Sequence, residues 1–294
     1  MTPYSKVYNQ DCNIGLADLP DNSIDIILTD PPYKYLKNQK LEVDFDEVVF
    51  FNHVKRLLKK DGFIVMFGRG TSFYRWNTML ADLGFQFKEE IVWNKNYTST
   101  PTTPISRIHE TVSIHSVSGG INKVRVPYLE SKDDVSSICQ DIKRLKSALN
   151  NVSELDDIRH YLKTGECRFS ELEKPLGNGT TVQTRLKERS RGLATLKSIM
   201  EGFVEKSIIT AIRNHYSAIH PTEKPVRLLE RLLALVIKPD RPCTVLDPFM
   251  GSGSTGIAAY NMGLDFIGYE IDKEYFEGAE KRFKQATAQQ RLFV

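Results

Sequence analysis

Two short stretches of this chain bring together residue types that can do chemistry. The first is Asp30-Pro31-Pro32-Tyr33, directly after the apolar run IDIILT. Two successive prolines fix φ at two positions and remove two backbone donors. The stretch is therefore a stiff ledge of carbonyl acceptors, with a carboxylate at one end and an aromatic ring at the other. It suits a planar group that carries an NH2. Asp30 and the Pro31 carbonyl would each accept one amino hydrogen, and Tyr33 would stack on the ring. The second stretch is Gly251-Ser252-Gly253-Ser254-Thr255-Gly256, a GxGxxG turn between an apolar strand pattern and a helix pattern, with Glu270 closing the next strand. Such a unit holds a nucleotide-like ligand, the glycines admitting it close to the backbone and the acid accepting from ribose hydroxyls. A dinucleotide is the default ligand. Against it, Asp247-Pro248-Phe249 runs straight into the turn. A carboxylate there repels a pyrophosphate and tolerates a sulfonium or an amino group. Phe249 can lie against an adenine or methionine face. Both details suit S-adenosylmethionine. A nicotinamide-dependent oxidoreductase remains the rival reading, and it leaves Asp-Pro-Pro-Tyr unexplained.

Taken together, Asp30-Pro31-Pro32-Tyr33 and Asp247-Pro248-Phe249-Met250-Gly251-Ser252-Gly253 resemble the two signature motifs of the DNA amino-methyltransferases. That family moves a methyl group from S-adenosylmethionine to the exocyclic amine of adenine or cytosine. The order here, catalytic motif first and cofactor motif last, resembles its β group. His220-Pro221-Thr222-Glu223-Lys224-Pro225 is similar to the segment before the cofactor strand in that group. The resemblance implies a site-specific enzyme acting on N6 of an adenine flipped out of double-stranded DNA. Asp30 through Tyr33 would be catalytic. Asp247, Phe249, Gly251, Gly253 and Ser254 would lie by the methionine part of the cofactor, Asp30 close to it, Glu270 at the ribose, and Asp11 and Cys12 by the adenine. Thr222 and Lys224 would reach the carboxylate end. Asp rather than Ser at position 30 favours adenine over cytosine N4, which stays as the alternative. So does a non-catalytic or partner-dependent DNA-binding subunit of a modification complex. A homodimer and a cognate restriction enzyme are partners that such an enzyme admits. Family members often carry Asn where this chain has Lys34, which leaves the ledge intact. Trp93 and Lys95 at a strand end and His109 before another are further candidates for contact with the base.

Both motifs need strands to present them. Residues 1–118 alternate short apolar runs with helical patterns: strands KVYNQD, IDIILTD, FIVMFG, EEIVWNK and ETVSIHSV, and helices FNHVKRLLKK, ending at Asp61-Gly62, and TSFYRWNTMLADLG. Residues 220–294 continue with helix VRLLERLLALVIK, strand CTVLDPF, helix STGIAAYNMG, strand DFIGYEID and helix KEYFEGAEKRFKQA. Strand alternating with helix predicts an α/β fold around a mostly parallel sheet, covered on both faces. The count is seven strands in a Rossmann-like, circularly permuted methyltransferase sheet, because joining the last helix to KVYNQD restores an uninterrupted βαβ order. Residues 119–219 break this rhythm with charged helical patterns and no sheet pattern, which predicts a helical insert for recognising the DNA target. The chain thus divides into a catalytic half (1–118), the insert (119–219) and a cofactor half (220–294).

The charge balance points the same way. The whole chain of 294 residues carries a formal net charge of +3. Residues 119–219 hold 17 Lys and Arg against 13 Asp and Glu, so the remainder is slightly acidic. Within 174–213 the ratio is 8 to 3, and Arg185, Lys187, Arg189 and Arg191 crowd one short run suited to phosphates. Phosphate contacts would position DNA without choosing its sequence. Hydrophobic residues at 40% and charged residues at 26% exclude disordered and low-complexity classes. No run approaches the length of a membrane span, and MTPYSKVYNQ has no apolar signal core. Four scattered cysteines without a CxxC pair give neither a disulfide frame nor a metal site. These features predict a cytoplasmic protein, and the resemblance implies a bacterial or phage origin.

Overall fold

The computed structural model describes residues 5–33, 45–96, 105, 108–126, 201–212 and 223–290. The chain divides into two compact units, Met1–Asn122 with Lys206–Val294, and Lys123–Glu205. In chain order the described elements are β1 (Ser5–Asn9), α1 (Cys12–Ala17), β2 (Ile24–Thr29), α2 (Glu47–Leu57), β3 (Leu58–Gly68), α3 (Gly70–Asp82), β4 (Gln86–Asn94), β5 (His109–Ser116), β6 (Arg125–Val126), β7 (Phe203–Val204), β8 (Ile208–Thr210), α4 (Val226–Val236), β9 (Thr244–Asp247), α5 (Ser254–Asn261), β10 (Asp265–Glu270) and α6 (Lys273–Gln290).

The first unit is built on one eight-stranded sheet in the order β1-β10-β9-β2-β3-β5-β4-β8. The pairings are parallel except β3 with β5 and β5 with β4. All six residues of β2 are buried, as expected of a central strand covered on both faces. Its alternate residues face opposite ways. Ile27 joins Ile64, Met66, Leu246 and Ile267 in a core with Phe50, Phe51 and Val54 of α2 and Trp76 and Leu80 of α3. Asp25 interrupts the apolar run, and its buried carboxylate is satisfied because Lys59, Arg241 and the Thr244 backbone N–H all donate to it. β1 and β10, from opposite ends of the chain, lie side by side in parallel. The cofactor-type strand β9 adjoins the ledge strand β2, with Ile26 opposite Val245 and Ile27 opposite Leu246.

Two expectations need correction. The sheet has eight strands rather than seven. The extra one, Ile208–Thr210, falls within the stretch read as a helical insert and pairs with β4 at Val92, Trp93 and Asn94. Three residues at an edge are too few for a period-two signal. Within the second unit the described residues form a two-stranded antiparallel pair, β6 with β7, braced by Arg125 donating to the Gly202 carbonyl at 2.9 Å. The helical reading of 127–200 lies outside the described residues. The helix read over 51–60 also ends earlier, at Leu57, and Lys59 and Lys60 belong to β3. The register between β2 and β3 shifts between Ile24 and Ile26, so Asp61-Gly62 marks an irregular strand segment rather than a helix stop. Among the described residues no helix is long and apolar enough to cross a membrane.

Candidate active site

The ledge and the glycine turn end neighbouring strands and line one cavity of about 440 Å³. Its lining includes Asp11, Cys12, Asp30, Pro31, Pro32, Tyr33, Lys224, Asp247, Phe249, Gly251, Ser254 and Glu270, all singled out by sequence. Open parallel sheets bind ligands at the carboxyl ends of their strands, and β2 and β9 both end here.

On the ledge, Asp30 accepts from the Tyr33 hydroxyl through one carboxylate oxygen and from Lys224 Nζ through the other. The Tyr33 carbonyl accepts from Ser72 Oγ at 2.7 Å, and its ring lies tilted against Trp76. These contacts fix both ends of the stretch that the prolines stiffen.

At the turn, Asp247 is buried and accepts from the Phe249 backbone N–H at 3.1 Å and from Thr255 Oγ1 at 2.6 Å. Burial pushes its carboxyl up to about 7, and the Asp30 and Glu270 charges add to that. Gly251 has φ +48° and donates its N–H to Glu270 Oε2 at 3.0 Å. Glu270 Oε1 accepts from the Asp272 N–H at 2.9 Å, and burial raises its pKa as well. Gly253, at φ +73°, is needed for a left-handed turn that a side chain would strain, and a Cβ there would meet Ala279 at 3.2 Å. It shapes the turn without lining the cavity. Asp11 caps α1 by accepting from the Asn13 N–H at 2.8 Å, and burial pushes the Cys12 thiol up to about 12. Phe249 sits edge-on to Phe45, with centroids 5.1 Å apart.

Other candidates lie elsewhere. Trp93 is buried, and its indole N–H donates to the Ala211 carbonyl at 2.9 Å, which ties β4 to the chain after β8. Lys95 pairs with Glu110. His109 is exposed at the start of β5, opposite Asn94. None of these three lines the cavity. Thr222, Arg185, Lys187, Arg189 and Arg191 lie outside the described residues. Lys224, expected at the carboxylate end of a cofactor, does line the cavity, where it contacts Asp30 and lies 3.5 Å from Glu110.

Several lining residues were missed, among them Glu110, Glu223 and Phe67. Glu110 had a signal, an acid opening an otherwise apolar strand pattern. Arg282 of α6 was also missed. It donates to the Ser252 carbonyl and to Ser254 Oγ, and it pairs with Glu223 at 3.0 Å, clamping the turn from behind. Nothing in a lone surface-type arginine on an amphipathic helix announces that role.

A family model described as DNA methylase (N6_N4_Mtase) matches residues 24–281, most of the chain. The chain belongs to this DNA methylase family. It is a DNA methyltransferase of the class that modifies N6 of adenine or N4 of cytosine. The Type II methyltransferase M2.DpnII of Streptococcus pneumoniae is 26% identical to this DNA methylase over 291 residues, 92% of this chain and 85% of that protein. The Type II methyltransferase M.HinfI of Haemophilus influenzae is 25% identical over 297 residues, 94% of this chain and 67% of that one. The fold is shared with M1.HpyAVI, solved as its SAM complex (TM-score 0.54, 21% identity, 95% of this chain and 99% of that chain). It is also shared with the cytosine-N4-specific PvuII methyltransferase (TM-score 0.57, 15% identity, 98% and 92%).

Proposed function

We propose that this DNA methylase transfers a methyl group from S-adenosyl-L-methionine to N6 of an adenine flipped out of duplex DNA, within a short recognition sequence. The observation that carries the reading is that the acceptor ledge and the glycine turn line the same cavity. The lining also fits the cofactor. It holds seven carboxylates, Asp11, Asp30, Glu110, Glu223, Asp247, Glu270 and Asp272, against one ammonium, Lys224. Such a lining attracts a cationic ligand with ribose hydroxyls and repels a pyrophosphate, which argues against the nicotinamide reading. Asp247, Phe249, Gly251 and Ser254 would face the methionine part, Glu270 the ribose hydroxyls, and Asp11 and Cys12 the adenine.

S-adenosylmethionine supplies an electrophilic methyl group on a sulfonium. The protein does the rest by holding the acceptor. A base inside a duplex cannot reach the ledge, so it must leave the stack at a cost of roughly a few kcal/mol. Stacking on an aromatic face such as Tyr33, worth about 1–3 kcal/mol, offsets part of that. Asp30 and the Pro31 carbonyl then accept the two amino hydrogens. This arrangement favours a tetrahedral nitrogen with its lone pair aimed at the methyl carbon. As the N–C bond forms, the methyl–sulfur bond breaks with its electron pair left on sulfur as a neutral thioether; the nitrogen becomes positive, and Asp30 would stabilise that charge. The nitrogen's surplus proton leaves through the same hydrogen bond.

Aspartate at position 30 supports adenine over cytosine. A cognate restriction enzyme as a companion belongs to the same proposal. The test uses purified protein, labelled S-adenosylmethionine and unmethylated genomic DNA, digested to nucleosides and read by mass spectrometry. N6-methyladenine is the expected product. N4-methylcytosine would overturn the choice of base, and the absence of any methylated nucleoside would overturn the catalytic reading of this chain acting alone.

A further inference from the structure

Beyond the acceptor ledge, four charged side chains form a line: Asp30 after β2, Lys224 before α4, Glu110 on β5 and Lys95 after β4. Lys224 Nζ bonds Asp30 Oδ2 and stands 3.5 Å from Glu110 Oε2. Lys95 Nζ bonds the other oxygen of Glu110. The side chains of Lys224, Glu110 and Lys95 are only 9%, 14% and 13% exposed. The Phe67 and Trp93 rings flank the Lys224 ammonium, with centroids at 4.9 and 6.0 Å. Burial works to raise the Glu110 pKa, but the two lysines outweigh it and bring the pKa below the usual value. Glu110 also lines the cavity.

This line contains a conflict. The carboxylate that should accept an amino hydrogen, and then face a developing ammonium, already holds an ammonium. Two like charges on one carboxylate repel, and in a poorly hydrated site the repulsion is strong. Glu110 offers Lys224 a second carboxylate close by, with Lys95 balancing its charge.

We propose that Lys224 is a placeholder for the acceptor amine, and that Glu110 is the positioning residue that draws it off Asp30 when the base arrives. The inference rests on the reading of Asp30 as the partner of the acceptor amine. With no base on the ledge, Lys224 and Tyr33 hold one Asp30 oxygen each, so the carboxylate is already aimed. With the base seated, the ammonium transfers its hydrogen bond to Glu110 Oε2, and Asp30 Oδ2 takes the amino hydrogen. The net charge of the four side chains is zero before and after, and the ammonium keeps a carboxylate partner throughout.

The test compares Glu110→Gln, Lys224→Met and the double variant with the wild type on unmethylated genomic DNA. Cofactor affinity is measured separately by calorimetry with S-adenosylmethionine. Glu110→Gln keeps the side chain's shape but leaves Lys224 bound to Asp30. Its kcat should fall about ten-fold or more while the cofactor Kd stays within about two-fold. Lys224→Met alone should lower turnover only about two- to three-fold, because Asp30 loses the partner that aims it, and adding it to Glu110→Gln should bring turnover back up to that level, because the competitor is gone. Unchanged kcat in Glu110→Gln overturns the inference, and so does a double variant whose loss is the product of the single losses. Should Glu110→Gln fail to fold, Glu110→Asp draws the carboxylate away from Lys224 and should give the same split of kcat from Kd at smaller size. Turnover at the wild-type level in that variant overturns the inference too. A wild-type protein that methylates no DNA would instead remove the functional reading on which the inference stands.

Discussion

Asp30 and Asp247 end adjacent strands and face one cavity, yet their surroundings give them different tasks. Asp30 is bonded to a cation and a hydroxyl, and in the proposed mechanism it meets the acceptor amine. Asp30→Ala should lower turnover by about 10²-fold or more through lost orientation and charge stabilisation, with the cofactor Kd largely unchanged by calorimetry. Near-normal turnover in that variant would sink the mechanism. Among the described residues no cation pairs with Asp247, and burial lifts its carboxyl to about 7. Below that pH the folded protein holds a proton there that an unfolded chain, with an ordinary carboxyl near 3.8, has released. The sign follows from linkage: Asp247 lowers folding stability as pH rises from about 4 to 7. A cationic cofactor reverses the preference by favouring the carboxylate. Binding should therefore release a proton below pH 7, and cofactor affinity should tighten from pH 6 to 8 and then level. Calorimetry in two buffers of different ionisation enthalpy reads the released proton. In Asp247→Asn that release should shrink and the affinity should weaken at every pH.

At the scale of elements, the turn works only if α5 can lie close to β10. A Cβ on Gly256 would come within 2.8 Å of the buried Phe266 ring. Gly256→Ala should therefore destabilise the protein by about 1–3 kcal/mol, an overpacking cost that exceeds alanine's gain in helix propensity. Urea unfolding checks this, and a stabilised variant would contradict the packing described. In sequence the turn's glycines read as admitting the ligand, and the packing role of the third appears only in the structure; the GxGxxG spacing itself was legible. So were the strands carrying both motifs, since β2 and β9 are apolar runs that stop at a carboxylate followed by proline. Other features were not readable. β8 is three residues long and shows no pattern. The Asp61-Gly62 pair looks like a helix stop, but tertiary pairing with β2 drew Leu58 into the strand. Lys224 was legible as a motif residue but not by its partner. Asp30 lies far from it in sequence, and only the sheet order brings the two together. Glu110 became meaningful for the same reason, because its charge is answered by residues from two other segments.

At the scale of the whole molecule, the basic excess lies in 174–213, and its run from Arg185 to Arg191 falls outside the described residues. If that run binds phosphates, DNA affinity should fall linearly on a log–log plot against salt. Each of Arg185→Ala, Arg189→Ala and Arg191→Ala should then reduce the slope by about 1 without changing which sites are methylated. An unchanged slope would place the phosphate contacts elsewhere. The strand order has a consequence of another kind. β2 is completed by β9, and the paired residues Ile26 and Val245 are separated by roughly 220 positions. At ribosomal rates of about 5–20 residues per second, that gap lasts on the order of ten to forty seconds. For that time the nascent chain carries a mostly apolar strand, buried in the finished fold, with one edge unpaired, an aggregation hazard of the kind that chaperones shield. A ribosome stalled anywhere before Thr244 would hold an acceptor ledge with no donor strand beside it. Activity should therefore switch on late in synthesis, when the last strands arrive, rather than build up as the chain lengthens.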